Sequence, residues 1–403
     1  MDSLVTGSLM LGLLTLGGLL GGVGAERLGL PRVAGYVMAG VLLSPSLLGG
    51  VLALDAGVWT GEFTAGALGV IAYLIGGSLN PAQLRRLGKV ILGVVFGETA
   101  GAMLIVALSF VLIPWWLGSE LTPLFALALA AVACTTAPAA TVAVIHQYRA
   151  SGPVTTTLLG VVALDDAVGI VVFSLVTALA NGDGVTGTLF TSVREIFGAI
   201  VLGWLGARVL ALSIARQSRT ELDLPLTLGM ILLINGLAQF LEVSALLACM
   251  GLGFFVRLSL PTGTRKAFKP VEYLEETVFV LFFTLAGVHF ELPVLVQFMP
   301  WVLTYYLARM IGKLLGARIG AGLAGGSVTV RRNVGWGLIP QAGVAVGLSL
   351  ALADQPAFSE IAVAVVNIII GSTLLYELTG PLLTRFALAR AGELGKKRGR
   401  ATR

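Results

Sequence analysis

Residues 161–173 read VVALDDAVGIVVF, two adjacent aspartates in a segment otherwise as apolar as a lipid tail. A carboxylate at the centre of a membrane helix costs roughly 2.5–3.5 kcal/mol on insertion scales. Asp165 and Asp166 incur that cost twice, and an intramembrane acid is by default a functional residue. A hard cation such as Na+ takes oxygen ligands, as the alkaline-earth cations do. Carboxylate, the hydroxyls of Thr135 and Thr136, and backbone carbonyls freed at an interrupted helix could supply them. Carboxylates also take protons, so cation and proton compete, and competition for one site gives exchange.

The cost of burying such acids falls if a cation lies beside them. Arg309 and Lys313, at i and i+4, share one face of another apolar helix. An ion pair between an aspartate and Lys313 would reduce the burial cost of both. Adjacent helix residues point about 100° apart. One aspartate can therefore face a cation path while the other turns to a neighbouring helix. Glu98, in VFGETAG, is a candidate partner of Arg309. Glu377, in LLYELTG, reads as a packing or cytoplasmic-end residue, and His146 and His289 as solvated or hydrogen-bonded side chains near span ends.

The elements that must hold these groups are membrane helices. The 403 residues are 57% hydrophobic and 12% charged, with mean hydropathy +0.95, where a soluble domain is about 25% charged. Cys134 and Cys249 both fall inside apolar runs, which argues against a disulfide framework or a thiolate metal site. The first run has no basic residue before it and reads as a membrane helix, not a cleaved leader. Hydropathy gives thirteen spans, at about 4–24, 31–44, 62–80, 90–113, 121–146, 153–181, 191–215, 222–241, 243–259, 272–290, 293–320, 332–353 and 357–385. The second is short and Gly-rich, which leaves twelve as the alternative count.

Alternate connections carry Arg27 and Arg32, then Arg85, Arg86 and Lys89, then Arg149, Arg216 and Arg219. Arg265, Lys266, Lys269, Arg318, Arg331, Arg332 and the tail GELGKKRGRATR continue the series. The other connections carry Asp55, Asp183, Glu242, Glu291, Asp354 and Glu360, with Arg194 the one basic residue near that face. By the positive-inside rule the N-terminus is outside and the C-terminus cytoplasmic. The net charge of +5 thus faces lipid headgroups, and no nucleic-acid partner is expected.

The fifth and twelfth spans share a pattern, P-x-A-x-V-A-V, as PAATVAV (138–144) and PQAGVAV (340–346), an offset of 202 residues. Each proline falls mid-span, where it removes a helix hydrogen bond and interrupts the helix. In lipid an interrupted helix persists only where it is buried in protein or lines a cavity. Spans 2–6 and 9–13 form two sets of five entering from opposite sides, an inverted repeat of the kind found in secondary transporters. The broken-helix residues Pro138, Ala139, Pro340 and Gln341 would then bring half-helix ends together near the midplane. The same offset takes Asp165 to Asn367, so the site is asymmetric.

Four stretches resemble the monovalent cation/proton antiporter superfamily in its electrogenic two-aspartate branch, as in bacterial Na+/H+ antiporters. They are LGLPRVAGYVMAGVLLSPSLLGG (28–50), TTAPAATVAV, LDDAVGIVVF and LARMIGKLLGARIG. The resemblance implies an all-α membrane protein with two crossing broken helices, no cofactor, and Na+ (or Li+ or K+) and H+ as substrates. Asp166 would be the main cation and proton site, and Asp165 would pair with Lys313, itself a proton carrier. It further implies electrogenic exchange of two protons per Na+, a homodimer in the bacterial inner membrane, and an elevator motion. The moving core would be 90–190 and 293–388, the dimer scaffold 1–89 and 220–292, the linker helix 191–219, and the basic tail 389–403. The third span, IAYLIGGSLNPAQLRRLGK, departs from the family where many relatives carry an acid.

An enzyme fits poorly. Intramembrane aspartyl proteases set their acids on separate helices, and prenyltransferases need DDxxD-like spacing, whereas Asp166 is followed by AVGIV. A sodium-coupled symporter of an organic anion on a related inverted-repeat fold is the closer alternative.

Overall fold

The computed structural model describes residues 7–47, 59–116, 122–181, 185–216, 219–260, 264–288, 292–353 and 355–395. His289, the acids Asp55, Asp183, Glu291 and Asp354, and the basic run from residue 396 lie outside the described residues. Every regular element among the described residues is helical. In chain order these are α1 (Gly7–Arg27), α2 (Arg32–Leu42), α3 (Trp59–Ser78), α4 (Pro81–Trp116), α5 (Pro123–Ala133), α6 (Pro138–Gln147) and α7 (Pro153–Asn181). There follow α8 (Val185–Arg216), α9 (Asp223–Phe240), α10 (Ala245–Ser259), α11 (Thr264–Val288) and α12 (Leu292–Leu323). Last come α13 (Val328–Asn333), α14 (Gly343–Ala353) and α15 (Ala362–Ala391).

Length and composition single out seven stretches among the described residues as able to cross a bilayer, counting Pro123–Gln147 as one. Others are apolar but short, as in α2 and α10, and α11 opens with the polar run TRKAFKPVEYLEE. The polar helix ends also explain where hydropathy misjudges boundaries. α4 begins at Pro81 and α11 at Thr264, well before the apolar runs start, because a helix continues past the membrane wherever its residues allow it.

The fifth span is two helices. α5 ends at Ala133, residues 134–137 are non-helical, and Pro138 opens α6 at a position where no N–H is needed. The twelfth is likewise divided: α13 runs into a 3-10 turn, Val334–Leu338, and α14 starts only at Gly343. Both motif prolines thus stand at the breaks the sequence pattern predicts. The pre-proline residue Ala137 is extended, at φ −81° and ψ 108°, as the proline ring requires.

The packing that positions the site is the contact of α4 with α12. Gly93, Gly97 and Gly101 on α4 face Gly320, Gly316 and Gly312 on α12, each set spaced by four residues. A Cβ at Gly97 would strike the Gly316 carbonyl, and one at Gly316 the Gly97 carbonyl. The two backbones therefore touch, in the close approach small residues permit between membrane helices. Glu98 and Lys313 are carried on this seam.

Gly316→Ala should accordingly lower the thermal midpoint of the purified protein, since backbone faces backbone and neither side can yield. Overpacking of this kind costs about 1–3 kcal/mol. Gly88→Ala on the same helix α4, where a Cβ meets open space, should leave the midpoint unchanged or raise it. Equal effects of the two substitutions in a detergent melt would contradict this packing.

Candidate functional site

The last carbonyls of a helix have no partner within it, and α5 ends deep in the protein, where no water can serve them. α12 supplies the donors. Arg309 donates through Nε to the Ala133 carbonyl at 2.9 Å, through one terminal nitrogen to Ile339 at 2.7 Å, and through the other to Thr135. One turn later Lys313 Nζ donates to the Cys134 carbonyl at 2.8 Å. The guanidinium lies 4.6 Å above the Tyr376 ring. Both cations are fully buried, and they complement the negative end of the α5 dipole.

The two breaks also bind each other. The Ala137 N–H donates to the Pro340 carbonyl at 2.8 Å, and the Thr141 hydroxyl to Gly337 at 2.9 Å. Gln341 Nε2 donates back to Val132 and to the Tyr305 hydroxyl, each at 3.1 Å. Pro340 packs so closely on Gly380 of α15 that a side chain there would displace its ring. Ala139, following Pro138 in the first turn of α6, is buried. The crossing is thus a closed lattice of backbone groups with Arg309 at its centre.

The acids gather on its α12 side. Lys313 forms an ion pair with Glu98, and also donates to Thr136 Oγ1 at 2.7 Å. Its three N–H groups are then used, and Asp165 Oδ2, at 3.7 Å, is held by charge alone. The expected Glu98–Arg309 pair is not what the structure builds. The glycine seam sets Glu98 against Lys313, while the planar guanidinium is committed to three carbonyls that a point charge could not serve together.

Asp165 and Asp166 sit on α7 at 1% and 5% exposure, and among the described residues none of their four carboxylate oxygens has a hydrogen-bond partner. Buried polar groups are as a rule hydrogen-bonded, and two whole carboxylates left without a donor are a larger exception than the single unpaired atoms of Glu98 and Gln341 nearby. Thr135 turns its hydroxyl onto Val132 at 3.1 Å, leaving its oxygen lone pairs to accept. Thr136 already accepts from Lys313. Among the described residues no group of three His, Cys, Asp or Glu side chains could hold a resident metal.

Two further acids have surroundings that the sequence did not specify. Glu377 stands in the middle of α15 and not at its cytoplasmic end, so of the two sequence readings the packing one fits. It is a buried side chain lining a cavity of about 650 Å3 with Thr64 of α3, Phe282 of α11 and Leu350 of α14. Glu393 belongs to the segment read as a basic tail, yet it is 7% exposed. Its carboxylate accepts from the N–H groups of Val154 and Thr155 and from the Thr155 hydroxyl, all at 2.7 Å. It therefore caps the N-terminus of α7, the helix that carries the aspartates. A lone acid among the tail's basic residues was the available signal. His146 pairs with Glu275 of α11.

A chain of this kind, helical and broken twice around buried acids, is a membrane transporter, and the family profile for "Sodium/hydrogen exchanger, transmembrane" matches residues 11–388. The chain belongs to that family. It is a transporter and not an enzyme, its family's substrates are Na+ and H+, and cation/proton exchange is the activity that membership supports. No curated protein sequence matches the chain. Its fold is similar to that of the sodium proton antiporter MjNhaP1 from Methanocaldococcus jannaschii. In the structure at pH 8 the TM-score is 0.71 and identity 21%, covering 96% of this chain and 97% of that one. In the electron-microscopy structure the TM-score is 0.76 and identity 21%, covering 98% and 100%.

Replacing Arg309 with Lys keeps the charge but leaves at least one break carbonyl without a donor. The expected loss is about 1–3 kcal/mol, read as a lower thermal midpoint; an unchanged midpoint would contradict the lattice. Glu393→Ala removes the α7 cap and should cost about 1–2 kcal/mol, with Glu393→Gln losing less, in the same melt.

Proposed function

We propose that the chain exchanges protons for a monovalent cation, Na+ foremost and Li+ or K+ as alternatives, at Asp166 with Asp165 beside it. The observation that carries this reading is the pair of buried aspartates whose oxygens no donor among the described residues satisfies, next to an ammonium already engaged elsewhere. Leaving a charge buried and unpaired is strongly unfavourable. A bound cation or a bound proton removes that penalty, and the two exclude each other. Thr135 Oγ1 adds a neutral ligand; Thr136, engaged with Lys313, is the weaker candidate.

The pairing pattern supports exchange of two protons. Lys313 is paired with Glu98 and Arg309 is committed to carbonyls, so Asp165 and Asp166 are the two acids left to take protons. Two protons leaving as one Na+ enters moves net charge, so the membrane potential drives the cycle. Lys313 is the further proton carrier if it gives up its proton when Na+ arrives; its pairing with Glu98 favours the aspartates as carriers.

We further infer thirteen spans with the N-terminus outside and the C-terminus cytoplasmic, a homodimer in a bacterial inner membrane, and an elevator motion. The core (90–190 and 293–388) would move against the scaffold (1–89 and 220–292), with 191–219 linking them. Supporting this division, the breaks, the cations and the acids all fall within the two core segments.

In proteoliposomes with an acid-inside pH gradient, external Na+, Li+ or K+ should dissipate the gradient with wild type. Asp166→Asn should abolish the effect, a fall of at least a hundredfold. Gradient loss by the variant at the wild-type rate would overturn the assignment. Na+ uptake dependent on an added organic anion, without proton efflux, would establish the symporter instead.

A further inference from the structure

At the end of the molecule where α6 stops and α11 begins, a second cavity of about 560 Å3 opens between α3, α6, α10 and α11. Its polar lining is Arg257 of α10, Arg265, Lys269 and Glu272 of α11, and His146 of α6. Three permanent cations thus face one acid. The neighbouring acids are already committed: Glu275 to His146, and Glu276 to Arg32 and Tyr36. Among the described residues none of Arg257, Arg265 and Lys269 forms an ion pair with a carboxylate.

Two features show that this excess of charge is built into the fold. Arg257 is fixed by donating to the Gly77 carbonyl, and its remaining N–H groups stay available. The first turn of α11 carries no acid, and Arg265 and Lys269 stand in its first two turns. Cations are unfavourable at that end of a helix, where the dipole and the free N–H groups favour an anion. A bound anion would offset the helix dipole and the clustered side chains together.

We propose that this cavity binds a phosphate-bearing anion, supplied either by a lipid headgroup or by a soluble phosphate compound. Arginine forks and a lysine suit phosphate oxygens, and the volume lies within the range of small-molecule sites, about 300–1,000 Å3. The anion would touch His146 on α6, the helix that begins at the first break, and residues of α10 and α11. On the exchange reading given above, it would tie the moving core to the scaffold and slow turnover. Binding itself needs no exchange, so the site and the transport reading fail separately.

The test is calorimetric titration of the full chain in neutral detergent with pyrophosphate and with dioctanoyl phosphatidic acid, using dioctanoyl phosphatidylcholine as control. At least one phosphate probe should bind wild type, and the Arg265→Gln, Lys269→Gln double variant should bind it at least tenfold more weakly. Pyrophosphate binding identifies a soluble anion; binding of phosphatidic acid alone identifies a headgroup. Ser78→Glu, which adds a carboxylate to the lining, should weaken binding to a similar degree and serves if the double variant misfolds. Failure of both probes to bind wild type, or equal affinity in wild type and variants, overturns the site. In proteoliposomes the bound probe should slow wild-type exchange at least twofold and leave the double variant unaffected; equal slowing overturns the proposed tie.

Discussion

Two helices that stop inside the protein leave carbonyl oxygens where water cannot reach them, and one face of α12 makes that arrangement stable. Arg309 and Lys313 together take the Ala133, Cys134, Thr135 and Ile339 carbonyls. Without those donors each carbonyl would cost about 1–3 kcal/mol, and the breaks would close into helix or open to solvent. The cations can stand there only because α12 lies backbone to backbone on α4. That approach depends on glycines at matching positions of both helices. Glycine seam, cation pair, broken helices and acid cluster form one dependent chain.

The same arrangement explains why the acids are left over. Lys313 divides its donors among a carbonyl, a hydroxyl and Glu98, so Asp165 and Asp166 feel its charge but take no hydrogen bond from it. Among the described residues the broken-helix carbonyls named above are satisfied, whereas the oxygens of Asp165 and Asp166 on α7, with one each of Glu98 and Gln341, are not. A site that must release its ligand in every cycle cannot be satisfied by the protein itself. On the proposed reading, that deficit is the driving force for cation and proton binding. Glu393 holds the α7 N-terminus from the far end of the chain, which ties the helix carrying the aspartates to the end of α15.

Much of this was legible in the sequence. Burial cost made Asp165 and Asp166 stand out, proline chemistry placed the breaks at Pro138 and Pro340, and i, i+4 spacing put Arg309 and Lys313 on one face. What remained hidden was partner choice. Whether Glu98 meets Arg309 or Lys313 depends on the register of α4 against α12, which the glycine spacing sets but does not announce. The use of Arg309 on carbonyls was invisible because sequence displays side chains and not freed backbone groups. The cavity beside Glu377 and the cap formed by Glu393 were hidden because distance along the chain says little about which cavity or helix end a side chain reaches. Helix ends at Pro81, Thr264 and Ala391 escaped because hydropathy sees the membrane and not the helix.

The central claim is that one pair of carboxyls holds either a cation or protons. Its most direct test is proton release from purified protein in weakly buffered detergent solution on addition of Na+ near neutral pH. The account predicts release that saturates with Na+ and disappears in Asp166→Asn, while Glu377→Gln releases protons as wild type does. Saturable Na+ binding without proton release, or release that persists in Asp166→Asn, would contradict it.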